Sequence, residues 1–203
     1  MEAAHRDALA RQLLRELVAA CPGSHADLRG SLATGQADVF SDIDVTWRVP
    51  DEAFQDVVTD VASVLEQVWP VALVREDPEW QKSDQRRLVF VAFRELPLFW
   101  RLDLDIRAES GAENPTPAPG EDRSPAASAL ANGVAAVKAV LRAQPATAVG
   151  LLDRAFERVE AEDTATGQWR DDISRLAEAA VRFDPGVGSL AGQVVVLAGE
   201  YLY

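Results

Sequence analysis

Between residues 109 and 125 the chain carries Gly111, Pro115, Pro117, Pro119, Gly120 and Pro125, and almost nothing large and apolar. Proline lacks a backbone N–H and fixes φ, and glycine is costly to order, so neither a helix interior nor a central strand persists there. This stretch is the strongest constraint on the fold. The sequence predicts a first domain over 1–108, an exposed linker over 109–125 and a second domain over 126–203.

The two sides of the linker differ in periodicity. Upstream, Leu9, Leu13, Leu14, Leu17 and Val18 share one face of a helix over 4–19, which Pro22-Gly23 stops. A short strand over 26–29 follows, then a glycine-containing loop. Ser41 to Val49 alternates strictly and reads as a strand. After Pro50-Asp51, Phe54, Val57, Val58, Val61, Val64, Leu65 and Val68 follow the helical spacing, so this helix should cover a sheet. Strands are predicted over 69–75, 86–93 and 98–107, the last two as an antiparallel hairpin. Downstream every segment reads as helix: Leu130, Val134, Val137 and Leu141; Leu151, Leu152, Phe156 and Val159; Trp169, Ile173, Leu176 and Val181; Leu190, Val194, Leu197 and Tyr201. The predicted class is α/β (α+β), a mixed sheet with helices on it followed by a C-terminal helical bundle.

Charge narrows the partners. Lys plus Arg total 20 against 33 Asp plus Glu, a formal charge of −13. Such a balance repels phosphate backbones, which disfavours a nucleic-acid module, and it offers no polybasic membrane anchor. One cysteine, Cys21, and two histidines, His5 and His25, are too few soft ligands for a zinc site, so any metal chemistry here should be oxygen-based. The charged opening Met1-Glu2-Ala3-Ala4-His5-Arg6 is unlike a signal peptide, and no apolar run reaches the ~18 residues of a membrane span. A cytoplasmic location is expected.

The chemistry-bearing residues sit on strands. Asp42 and Asp44 should point one way while Ile43 and Val45 enter the core, and Asp103 and Asp105 should do the same against Leu102, Leu104 and Ile106. If the two strands are neighbours, three or four carboxylates converge. Crowded like charges need neutralising, and two Mg²⁺ ions held by oxygen ligands would do it. Gly30-Ser31 supplies the complement, since a glycine lets phosphate approach the backbone and the adjoining N–H groups and hydroxyl can donate to it. Metals on one side and amide donors on the other form a device for phosphoryl-type transfer.

Gly30-Ser31, a spacer of ten residues, Asp42-x-Asp44 and a later strand aspartate resemble the nucleotidyltransferase superfamily typified by DNA polymerase beta. In size and layout the chain is most similar to the small aminoglycoside or lincosamide nucleotidyltransferases of antibiotic resistance. The likeness covers residues 5–108. It implies that Asp42, Asp44 and Asp103 are the catalytic, metal-binding carboxylates, with Asp105 the rival for the third place. It also implies that Gly30 and Ser31 hold the β- and γ-phosphates of ATP or another nucleoside triphosphate. The implied reaction is in-line attack by a hydroxyl on the α-phosphorus with release of pyrophosphate. A small acceptor, aminoglycoside-like and cationic, suits the acidic chain. The rival readings are a nucleotidyltransferase acting on a protein or tRNA, with the low basic content against tRNA, and a relative that binds nucleotide or antibiotic without chemistry.

Other residues have plainer readings. Arg86 and Arg87 read as a charged strand entrance, Trp80 as a loop anchor, and Glu157, Glu160, Asp171, Asp172 and Glu178 as solvated helix faces. His25 lies at the far end of its strand from Gly30. Gly186 to Ala191 fits a dinucleotide-binding spacing but has no strand before it, and Gly30 to Gly35 has P-loop spacing with Gln36-Ala37 where Lys and Ser or Thr are required.

Overall fold

The computed structural model describes residues 3–112, 115–122 and 124–203. It has a mixed α/β architecture with a C-terminal helical part, and the chain divides into two compact units, Met1–Asp122 and Arg123–Tyr203. The predicted linker, 109–125, includes residues 113, 114 and 123, which lie outside the described ones.

The first unit runs α1 (Ala3–Ala20), β1 (His25–Leu28), α2 (Gly30–Thr34), β2 (Ile43–Val49), α3 (Phe54–Val68), β3 (Val71–Glu76), β4 (Arg86–Phe93) and β5 (Leu102–Ala108). The strands form one sheet in the order β1-β2-β5-β4-β3. β2 and β5 are parallel, while the β1–β2, β4–β5 and β3–β4 pairs are antiparallel. Period-two alternation sorts the side chains: Ile43, Val45, Trp47 and Val49 of β2, Val89, Val91 and Phe93 of β4, and Leu102, Leu104 and Ile106 of β5 are all buried. α1 adds Leu9, Leu13 and Leu17 to this core, and α3 adds Phe54, Val61 and Leu65. Trp47 satisfies its ring N–H on the Ser24 hydroxyl at 3.0 Å, so a large aromatic is buried without an orphaned donor.

The predicted hairpin exists, but its second strand starts later than the alternation suggested. Leu98–Trp100 is a 3₁₀ turn after Pro97, with Phe99 and Trp100 both buried. Two neighbouring aromatics can enter one core from a tight turn, whereas a strand would send them to opposite faces. Ala118 and Gly120, from the predicted linker, donate their N–H groups to the carbonyls of Glu79 and Pro78 at 2.9 and 2.7 Å, and Lys82 donates to Ala118 at 3.0 Å. This segment is thereby stitched to the β3–β4 connection.

The second unit is four helices: α4 (Pro125–Leu141), α5 (Pro145–Arg158), α6 (Trp169–Phe183) and α7 (Gly188–Tyr201). α4 is apolar around much of its circumference and contacts the other three. At Gly133 a Cβ would stand 3.2 Å from Leu176 Cδ2, so glycine lets α4 and α6 approach closely. Asp172 departs from the solvated-face reading. It is fully buried and accepts hydrogen bonds from Thr166 N–H and Oγ–H, Gly167 N–H and Arg175. An acid in the first turn of α6 thus ties down the loop that leads into the helix. No described helix is long and apolar enough to cross a membrane.

Candidate active site

The loop from Gly35 to Asp42 delivers the first carboxylate, and it is knotted locally. Asp38 Oδ1 accepts from Phe40 N–H at 3.0 Å and from the Ser41 hydroxyl at 2.9 Å, while Asp38 N–H donates to Ser41 Oγ at 3.0 Å. Arg6, reaching over from α1, is buried and donates to the Asp38 carbonyl at 2.5 Å and the Ser41 carbonyl at 3.4 Å. Nothing in the local pattern around Arg6 signals this role. Besides the neighbouring Asp7 carboxylate, its partners are backbone oxygens more than thirty residues away.

Register then sets the acids side by side. Asp44 of β2 is aligned with Asp103 of the parallel strand β5, and Ile43 N–H donates to the Arg101 carbonyl at 2.9 Å, which sets Asp42 alongside Arg101. The two strands are neighbours, which brings Asp44 beside Asp103 and Asp42 beside Arg101. A guanidinium stands among them: Arg101 Nε and Nη2 donate to Asp103 Oδ1 and Oδ2 at 2.5 and 2.8 Å, and Nη2 lies 3.9 Å from Asp42 Oδ2. Burial works to lower the Arg101 pKa, but Asp103, Asp42 and Asp44 outweigh it and hold the group above its ordinary value.

Gly30 reaches the same place from the other side. Its φ is +57°, and a Cβ on it would lie 2.5 Å from Asp44 Oδ2. Only a residue without a side chain fits both the backbone conformation and the contact. Gly30 and Ser31 open α2, with Gly30 against Asp44.

Asp105 has a different environment. It is fully buried and is gripped by Arg86, whose Nε and Nη2 donate at 2.8 and 3.1 Å, and by Arg107, whose Nε and Nη2 donate at 2.9 and 2.7 Å. Arg29 adds a third cation at 3.5 Å. Both oxygens are engaged by arginines, so Asp105 is held as a structural anion. Arg86 also lies 4.0 Å above the ring of Trp80, which is buried in the loop after β3. Arg87 is directed to the carbonyls of Trp80 and Ser83 and toward Glu76, and its burial pushes its pKa down. His25, at the start of β1, pairs with Arg48 and is remote from Gly30 along the strand.

Among the described residues no group of three or more His, Cys, Asp or Glu side chains is gathered as a ready metal cage. Both oxygens of Asp103 are instead taken by the Arg101 fork. Asp42, Asp44 and Asp103 all act on the Arg101 guanidinium, and their oxygens are donors of the type a hard dication takes.

No family model matches the chain, and no curated protein matches it. Among solved structures, one described as "structure of GLD-2/RNP-8 complex" is similar with a TM-score of 0.37 and 12% identity, over 84% of this chain and 56% of that one. The chain thus spans little more than half the length of that neighbour, and a likeness this low carries no argument about function.

Proposed function

We propose that the first unit is a Mg²⁺-dependent nucleotidyltransferase that moves AMP from ATP to a hydroxyl of a small, positively charged acceptor such as an aminoglycoside-like antibiotic. The observation that carries this reading is the closeness of two unlike features. The glycine of the Gly30-Ser31 turn lies against Asp44, and Asp44 lies in register with Asp103. A phosphate-compatible backbone and a cation-collecting acid pair on one spot suit a metal–triphosphate complex better than either feature alone.

In this reading Asp42, Asp44 and Asp103 hold the two ions. Bound there, the ions would neutralise the phosphate charge and polarise the α-phosphoryl group. Gly30 and Ser31 donate backbone N–H groups and a hydroxyl to the β- and γ-phosphates, which fixes the triphosphate for in-line displacement. The acceptor oxygen forms a bond to the α-phosphorus, the bond from that phosphorus to the bridging oxygen breaks, pyrophosphate leaves, and the hydroxyl proton passes to a carboxylate. The net charge of −13 supports a cationic acceptor by drawing it toward the chain.

The test is pyrophosphate release from ATP and Mg²⁺ with a panel of aminoglycosides, lincosamides and proteins, alongside nucleotide binding by calorimetry. Turnover with a small cationic acceptor is expected, and Asp42→Asn should reduce it about 1,000-fold, roughly 4 kcal/mol of transition-state stabilisation, without lowering the melting temperature. Turnover only with a protein would replace the acceptor class. Nucleotide binding without pyrophosphate release would make the protein a binder. Silence in both assays overturns the proposal.

A further inference from the structure

Arg29 stands where β1 meets the Gly30-Ser31 turn. Its N–H donates to the Asp44 carbonyl at 2.8 Å, and the next residue is the glycine that lies against the Asp44 carboxylate. Residues opposite one another on antiparallel strands send their side chains to one face of the sheet. Arg29 accordingly reaches over the face that carries the acids, where its Nη1 comes to 3.5 Å from Asp105 Oδ2. That contact gives the arginine little, because both Asp105 oxygens already accept from the forks of Arg86 and Arg107 at 2.7–3.1 Å. Among the described residues the Arg29 side chain donates no hydrogen bond, and its Nε is shut from solvent without an acceptor. A guanidinium carries several N–H donors in a rigid fork, and a buried donor left unmatched is costly. Yet the Arg29 side chain is 37% exposed, against 17% for Arg86 and for Arg107. The two sealed arginines are spent on the scaffold, and Arg29 is not. A partly open fork with unspent donors, beside a turn that lacks a Cβ, has the chemistry to take two oxygens of a phosphate group at once.

We propose that Arg29 is a substrate-binding residue that takes the terminal phosphate of the nucleoside triphosphate, whose oxygens supply the acceptors its fork lacks. This role deepens the proposed function and rests on its triphosphate, independently of how any metal is held. It makes the site read the end of the phosphate chain as well as its middle. AMP, which has no such group, gains nothing from the arginine. When the bond between the α-phosphorus and the bridging oxygen breaks, the terminal phosphate departs within pyrophosphate, so Arg29 holds the leaving group and not the group that is transferred. Its contribution is to binding and to the placing of that leaving group, and it takes no proton, since a guanidinium stays charged.

The experiment is a calorimetric titration of the full chain with ATP and with AMP, each with Mg²⁺, in the wild-type protein, Arg29→Met and Arg29→Lys. The wild-type protein should bind ATP more tightly than AMP. Arg29→Met should lose about ten- to a hundredfold in ATP affinity, while its AMP affinity moves by less than about twofold. Arg29→Lys, which keeps the charge but not the fork, should lie between them. A merely structural role would weaken both nucleotides together, so the ratio of the two affinities is the readout. Independently of any variant, saturating ATP should protect Arg29 of the wild-type protein from modification by phenylglyoxal, read by peptide mass spectrometry, and saturating AMP should not. An ATP-to-AMP ratio unchanged in Arg29→Met would overturn the role of Arg29 while leaving the nucleotidyl-transfer reading intact. Equal modification of Arg29 with and without bound ATP would do the same. A wild-type protein that binds neither nucleotide would overturn both together.

Discussion

Asp103 and Asp105 share a face of β5 by alternation, yet they lie in opposite electrostatic surroundings. Around Asp103 are two further carboxylates and one guanidinium, and the acid keeps 16% of its side-chain surface exposed. Around Asp105 are Arg29, Arg86 and Arg107, and none of its side chain is exposed. Among the described partners, acids predominate around the first group and arginines around the second, about one strand residue pair apart. The sealed carboxylate is part of the scaffold, since its removal strands cations. The partly exposed one is held by the fork of a single arginine among the described residues, and its loss leaves fewer cations stranded.

The sharpest way to break this contrast is to remove each acid in turn. Asp105→Ala should cost about 3–5 kcal/mol of stability in urea unfolding, because its arginines are left crowded with no anion between them. Asp103→Asn should fall within about 1 kcal/mol of wild type, since its pair is partly solvated and the change relieves crowding with Asp44. Equal losses would erase the distinction. A smaller effect is expected at the turn that serves the Asp103 side alone: Gly30→Ala combines a positive φ with a clash on Asp44 and should cost about 1–2 kcal/mol in thermal unfolding. Nucleotide affinity should drop with it, and the Asp105 cluster should stay intact, as judged by unchanged exchange of the β4–β5 amides.

The smallest effect provides a baseline for a carboxylate that belongs to neither group. Asp51 is an exposed acid at the entry to α3 that accepts hydrogen bonds from Ser110, just beyond β5, and these lower its pKa below the ordinary 3.8. The contribution is present in full above pH 3.8 and is lost as pH falls through the lowered folded-state value. Asp51→Asn should therefore flatten the acid limb of the stability profile slightly and leave neutral pH unchanged.

Much of this contrast was legible in the sequence, and the rest was nearly so. Alternation placed Ile43, Val45, Leu102 and Leu104 in the core and set Asp42, Asp44 and Asp103 on one face, because strand geometry forces a period of two. The same period runs through Arg101-x-Asp103-x-Asp105-x-Arg107, so the counter-ions were written on the strand beside the acids. The two acids could be separated only by cross-strand partners, Arg86 from β4 and Arg29 from the end of β1, and pairing of strands is not a local property. The turn at Leu98–Trp100 was hidden for a related reason: three apolar residues in a row read equally as strand or as a tight turn filling a core. Asp172 was hidden because the acid and the backbone groups it caps are five and six residues apart.

Arg6 has a mechanical implication. It lies in the first turn of α1, where helices ordinarily fray without consequence, yet its guanidinium supports the carbonyls immediately before Asp42. Fraying at that end would release the loop as well as a helical turn. Opening of the helix end and wandering of the first acid should therefore be one event, and amide exchange at Ser41 and Asp42 should keep time with the first turn of α1.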